Sequence, residues 1–190
     1  MEEVFEVDKY FDTINYTKST FAIGEYENCE FINCDFSTTS FGKSKFIECR
    51  FTNCNLSAAS IASTAFRNIV FKDCKLLGLQ FNTCNELLFE VSFQNCMVNL
   101  SNFYNRKLKN TQFINTSLLE VDFTKVNLSN AVFENCDLLG AIFENAILEN
   151  TDFSTSYNYS IDPEKNKMKK AKFSIPAVIG LLNKYDIEIK

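Results

Sequence analysis

Phe31-Ile32-Asn33-Cys34-Asp35-Phe36 returns as Phe51-Thr52-Asn53-Cys54-Asn55-Leu56, and then, with small changes, from Phe71, Phe93, Phe113 and Phe133. The starting points step by 20, 20, 22, 20 and 20 residues. A fixed period of this size marks a solenoid, in which one repeat cannot bury its apolar face alone and each turn stacks on the last.

Outward from this phrase runs a finer period of five. Every fifth residue from Phe11 to Phe81 is apolar or Tyr; the phase slips by two and resumes from Leu88 to Phe153, giving 29 consecutive matches in a chain that is 46% hydrophobic. Chance would produce such a comb roughly once in ten billion. Neither 3.6 nor 2 fits the period, which excludes an amphipathic helix bundle and an ordinary strand sandwich. Two residues before each centre the chain prefers something small, as at Cys29, Cys34, Thr39, Ser44, Cys49, Cys54 and Ala59. Lys9, Glu86 and Arg106 depart from that rule and mark less regular coils or a break.

The phrase small-x-Phe/Leu-x-x over about residues 9–155 resembles the pentapeptide-repeat family. The resemblance implies an all-β chain folded as a right-handed quadrilateral β-helix, with four pentapeptides per turn. On four faces, face one holds Phe11, Phe31, Phe51, Phe71, Phe93, Phe113, Phe133 and Phe153, provided that residues 82–88 form a bulge that keeps the register. Phe21, Phe41, Ile61, Phe81, Phe103, Phe123 and Phe143 share the opposite face. The expected organisation is a β-helix over residues 1–174, then a capping and dimerisation helix and strand over 175–190.

Cysteine spacings of 5 and 20 follow the solenoid, not the close pairs of a zinc site. Cys34, Cys54, Cys74, Cys96 and Cys136 fall at the inward position of face two and Cys29 and Cys49 at that of face one, so they read as buried free thiols. Cys84 alone falls in the bulge, where it could be more reactive. The column Asn33, Asn53, Asp73, Asn95, Asn115 and Asn135 reads as side-chain amides bonding to one another or to corner backbone. With no His, no Trp and 5 Gly, the chain offers no His-based triad, His metal site or glycine-rich phosphate loop. No enzymatic activity, catalytic residue, cofactor or metal is expected. The start Met1-Glu2-Glu3 lacks the pattern of a signal peptide and no apolar stretch is long enough to span a bilayer, so a cytoplasmic protein with no membrane partner is expected.

Charge is unevenly spread along the chain. Residues 1–30 sum to −6, 31–110 to +4, 111–161 to −6 and 162–190 to +3. In the third block Glu120, Asp122, Glu134, Asp137, Glu144, Glu149 and Asp152 fall on all four faces as a negative collar, either a solvated surface or a partner-binding one. Past Phe153, Asn158 and Pro163 break the comb, while Met168 and Phe173 return to its phase. Ser174 and Pro176 then suit the start of a short helix, and the alternation from Tyr185 to Lys190 suits a strand. More apolar residues stand here than a cap requires, which makes Ile179, Leu182, Tyr185, Ile187 and Ile189 a candidate homodimer contact.

A long pentapeptide β-helix closed in this way looks like the Qnr and mycobacterial fluoroquinolone-resistance subgroup. That resemblance implies an end-to-end dimeric rod that imitates duplex DNA, binds a type II topoisomerase (gyrase or topoisomerase IV) and protects it from quinolones, without itself binding nucleic acid. About 7.5 turns of about 4.8 Å make a dimer of about 70 Å, near 20 base pairs. The larger projecting loops of the plasmid-borne members are absent, and the middle of the rod is basic. The alternative is a pentapeptide-repeat scaffold for a different protein partner.

Overall fold

The computed structural model describes residues 3–188. Its core element is a ladder of nine parallel strands down face one. In rung order these are Tyr10–Asp12, Glu30–Ile32, Arg50–Thr52, Ile69–Lys72, Val91–Gln94, Gln112–Ile114, Val132–Glu134, Asp152–Phe153 and Lys172–Phe173. A second ladder of four, Val4–Val7, Gly24–Glu27, Lys45–Ile47 and Ala65–Arg67, forms the neighbouring face at the N-terminal end. The other faces are joined rung to rung by single parallel bridges, such as Asp35 with Asn55 and Asn102 with Asp122. Parallel pairing of residue i with i+20 fixes one pentapeptide per face and four faces per turn, as expected from the comb.

Strands this short persist because their centres stack. Along face one the rings of Phe11, Phe31 and Phe51 lie 4.8 and 4.7 Å apart and nearly parallel. Phe113, Phe133 and Phe153 continue the column at 4.6 and 4.7 Å. Rings on the opposite face meet these edge-on: Phe103 and Phe113 are 6.4 Å apart at 88°. Offset stacking along the axis and edge contacts across it are the two favoured aromatic geometries, each adding about 0.5–1.5 kcal/mol beyond burial.

The register survives the two-residue slip. Phe71 pairs with Phe93 in adjacent strands, and their rings stack at 5.6 Å. Yet the centre expected at Leu88 is not one: Leu88 has φ of 58° and is 69% exposed, while Phe89 turns inward against Phe81 at 6.3 Å. A left-handed residue redirects the chain so that its successor takes the inward position. Burying a Phe ring in place of a Leu side chain favours that choice. The same substitution closes the second break, where Asn158 has φ of 61° and Tyr159 fills the interior between Phe153 and Phe173.

Arg106 owes its place to the bulge. It stands at the small inward position, is buried, and donates from Nη2 to the carbonyls of Asn82 at 2.8 Å and of Cys84. Its guanidinium also lies 5.3 Å from the Phe89 ring centroid. The charge is thus desolvated only against carbonyl oxygens and a π face that replace part of its hydration.

The tail departs from expectation. The expected short helix is two successive 3-10 turns, Val178–Leu181 and Asn183–Tyr185, and Ser174 accepts from Val178 through its backbone carbonyl, not its side chain. Among the described residues, 186–188 form no strand. Gly180 packs its α-carbon so closely on the coil that an added Cβ would lie 2.1 Å from the Tyr159 carbonyl oxygen, and Ile161 donates to the Gly180 carbonyl at 3.0 Å. This close backbone contact docks the tail on the last coil.

Chemical denaturation should rank the ring positions. Phe113→Ala is expected to cost about 3–5 kcal/mol and the half-buried Phe89→Ala about 2 kcal/mol. Leu88→Asn, which suits a left-handed site, should be neutral or stabilising. A large loss from Leu88→Asn together with none from Phe89→Ala would contradict the placement of the bulge.

Candidate functional site

The interior is fully occupied by side chains of the comb, so any site belongs to the outside of the rod. Among the described residues no group of His, Cys, Asp and Glu is placed to hold a metal ion, and no helix is long and apolar enough to cross a membrane. All eight cysteines are free and buried. In the face-two column each thiol donates to a carbonyl one turn back, as from Cys54 to Phe31 and from Cys74 to Phe51, at 3.3 and 3.4 Å. Cys84 is no exception: it occupies an inward position and donates to Ile61 at 3.4 Å. Burial pushes its thiol up to about 12, with Arg106 pulling weakly the other way. Burial likewise pushes Cys49 and Cys136 up to about 12.

The Asn column is an amide ladder. Asn53 donates to Asn33, Asn115 to Asn95 and Asn135 to Asn115, at 2.7, 3.1 and 2.9 Å. Asn95 donates to the carboxylate of Asp73 at 2.9 Å, and Asp73, which has no side-chain donor to offer Asn53, interrupts the run. Every member has a positive φ, from 49° to 55°. Asn and Asp tolerate this region better than other side chains, a second reason for the column that the spacing alone did not reveal.

The collar carboxylates divide into two groups. Asp122, Asp137 and Asp152 accept hydrogen bonds from the backbone amides of Thr124, Leu139 and Ser154, closing turns at the corners. Asp152 also pairs with Lys172 at 3.0 Å, and Glu144 with Lys165 at 3.1 Å. Among the described residues Glu120, Glu134 and Glu149 have no ion-pair or side-chain hydrogen-bond partner; Glu120 and Glu134 are exposed and Glu149 is half-buried. The seven are distributed around the rod rather than gathered in one pocket.

At the C-terminal end Ile179, Leu182, Tyr185 and Ile187 are exposed, joined by Ile175 and Val178, which the sequence reading left out of the contact. Ile189 lies outside the described residues. Tyr185 donates its hydroxyl to Glu164 at 3.1 Å, and Lys184 bridges Asp162 and Glu164, both at 2.7 Å, which ties the tail to the last coil. Two shallow cavities accompany these features. One of about 360 Å³ lies between Phe143, Ile161, Gly180 and Lys184, and one of about 670 Å³ lies beside the bulge between Leu88, Phe89, Arg106 and Lys125.

Family models agree with this architecture. The pentapeptide repeat region model matches residues 25–103 and 44–123, and the model of eight pentapeptide repeats matches residues 116–154. The chain belongs to the pentapeptide-repeat family. In fold it is similar to a trypsin-treated variant of QnrB1, a plasmid-mediated fluoroquinolone resistance protein, at 17% identity over 100% of both chains with a TM-score of 0.55. It is also similar to HetL, a pentapeptide repeat protein involved in heterocyst differentiation regulation from the cyanobacterium Nostoc sp. strain PCC 7120. There the identity is 12% over 90% of this chain and 87% of that one, with a TM-score of 0.52. No curated protein matches it in sequence.

Two measurements follow. Thiol reagents at pH 8 should leave the native protein almost unreacted and titrate all eight cysteines after denaturation; one rapidly reacting native thiol would contradict the burial of Cys84. The second concerns pH. Lys184 holds the carboxyls of Asp162 and Glu164 below their usual values, with Tyr185 adding to the effect at Glu164. Their stabilisation of the tail is therefore present above the ordinary carboxylate range and is lost as pH falls through the lowered values. Hydrogen exchange should show residues 178–185 opening on acidification ahead of the coils, and Lys184→Ala should remove that pH step.

Proposed function

We propose that this protein is a non-enzymatic rod that binds a type II topoisomerase, gyrase or topoisomerase IV, and protects it from quinolones by occupying surface that otherwise receives duplex DNA. The observation that carries this reading is the negative collar on an unbranched rod, in which Glu120, Glu134 and Glu149 lie on three faces of two adjacent turns and have no ion-pair partner among the described residues. Similarity in fold to the trypsin-treated QnrB1 variant, over the whole of both chains, supports it. Nine rungs at about 4.8 Å span about 38 Å between the outermost strands. An end-to-end pair would approach the length of about 22 base pairs at about 3.4 Å each.

The exposed tail residues supply the means of pairing. In this reading Ile179, Leu182, Tyr185 and Ile187 meet the same residues of a second copy across a two-fold axis, removing an apolar end from water. Residues 175–190 then act as both cap and dimer contact.

Gyrase supercoiling in the presence of a quinolone should be restored by the wild-type protein and not by Glu120→Lys/Glu134→Lys/Glu149→Lys. Absence of protection over a wide range of protein concentration would remove the topoisomerase reading and leave the scaffold for another protein. Sedimentation at micromolar concentration should give a dimer for the wild type and a folded monomer for Leu182→Glu; a wild-type monomer would remove the dimer and the length argument built on it.

A further inference from the structure

Beside the carboxylates of the collar, the corner after face two carries a second kind of surface. Met97, Leu100, Leu139, Ile142 and Tyr157 are between 42% and 59% exposed, and the half-buried Leu119 lies among them. Rung pairing sets them in neighbouring columns across four levels, interleaved with polar side chains. Leu100 donates its amide to Leu119, Glu120 donates to Leu139, Met97 bridges to Ser117 and that column continues through Asp137 to Tyr157. Carboxylates stand in the same columns: Glu120 follows Leu100, Asp137 precedes Tyr157, and Asp122 bridges to Ile142.

Leu100 is the most telling member. It holds φ of 60° at a corner whose stacked neighbours include Gly78 and Gly140. A leucine in the left-handed region is unfavourable where Gly or Asn would be tolerated, and its side chain gains little burial there to offset the cost. Leu88 shares this conformation because the bulge turns Phe89 inward in its place; Leu100 stands in a regular coil with no such exchange, so its exposure points to contact with something else.

We infer that this patch is a docking surface for an amphipathic helix of a partner protein, with apolar side chains along one stripe and Lys or Arg on its flanks. The four levels from Met97 to Tyr157 cover about 14 Å, the length of about ten helical residues. The carboxylates among the apolar side chains select basic flanks. A second copy meeting the patch through two-fold symmetry would instead oppose Glu120, Asp122 and Asp137 with their own equivalents, a like-charge contact that disfavours self-association. Pure imitation of DNA has no use for an apolar row, so the inference extends beyond the topoisomerase reading and stands if the quinolone assay fails.

A synthetic Leu/Lys helical peptide, with leucines at i, i+3, i+4 and i+7, is the probe, and the same peptide with serine for leucine is its control. Fluorescence anisotropy at 0.15 M salt should show the Leu/Lys peptide binding the full chain at least tenfold more tightly than the Ser/Lys peptide. Leu100→Asn/Leu119→Gln/Leu139→Gln should lose at least tenfold in affinity for the Leu/Lys peptide with an unchanged unfolding midpoint. Leu139→Gln alone carries the test if the triple variant unfolds. Equal binding of the two peptides, or unchanged binding by a folded variant, would overturn the inference. So would a wild-type oligomer that these substitutions convert to monomers, because a second copy would then be the occupant.

Discussion

Most pentapeptides close with a residue in the left-handed conformation, and in most of these the amide donates to a carbonyl of the following turn. Asn33 reaches Thr52, Asn53 Lys72, Asn95 Ile114 and Asn115 Glu134, all within 2.8 to 3.0 Å. This corner turns the chain onto the next face, satisfies a backbone donor that would otherwise be orphaned, and fixes the spacing between turns. That spacing in turn brings the rings of Phe31 and Phe51, or of Phe113 and Phe133, to stacking distance. A filled aromatic interior follows from corners and spacing together, and with it a rod whose chemistry is confined to its outer positions.

Much of this was legible because a solenoid repeats one environment many times. A period of five and a step of 20 suffice to assign Phe71 and Phe93 to one column across an insertion, and the ladder pairs them. The inward thiols and the amide ladder were readable for the same reason. What failed were positions where the repeat itself fails. Periodicity placed Leu88 inward because it counts residues, while the chain chooses by local conformation and ring burial and puts Phe89 there. Arg106 looked like an irregularity; its role as the donor to the bulge carbonyls needed the three-dimensional position of Asn82 and Cys84. The alternation after Tyr185 suggested a strand, but Gly180 docks the tail through close backbone contact, and 186–188 do not adopt strand conformation.

Surface function was the least legible level. The collar could be listed from the sequence, yet coordinates separate carboxylates committed to corner turns, such as Asp122 and Asp137, from Glu120, Glu134 and Glu149, which have no such duty. Residues of the apolar corner patch are spread over 60 positions, from Met97 to Tyr157, and over successive turns, so no local pattern announces them. Charge and apolar contact occupy the same stretch of rod, the combination expected of a surface that is steered electrostatically and then anchored by burial.

In the proposed function the outside of the C-terminal half, not the bulge or the N-terminal turns, receives the partner. Hydroxyl-radical footprinting of the full chain with and without gyrase tests it most directly, because modification reports side-chain access without disturbing a rigid backbone. Protection is expected to concentrate on Met97, Leu100, Leu139, Ile142 and Tyr157, with Leu87 and Leu88 of the bulge and Tyr10 of the first turns unchanged. Protection confined to the bulge or the first turns, with the corner patch fully reactive in the complex, would contradict it.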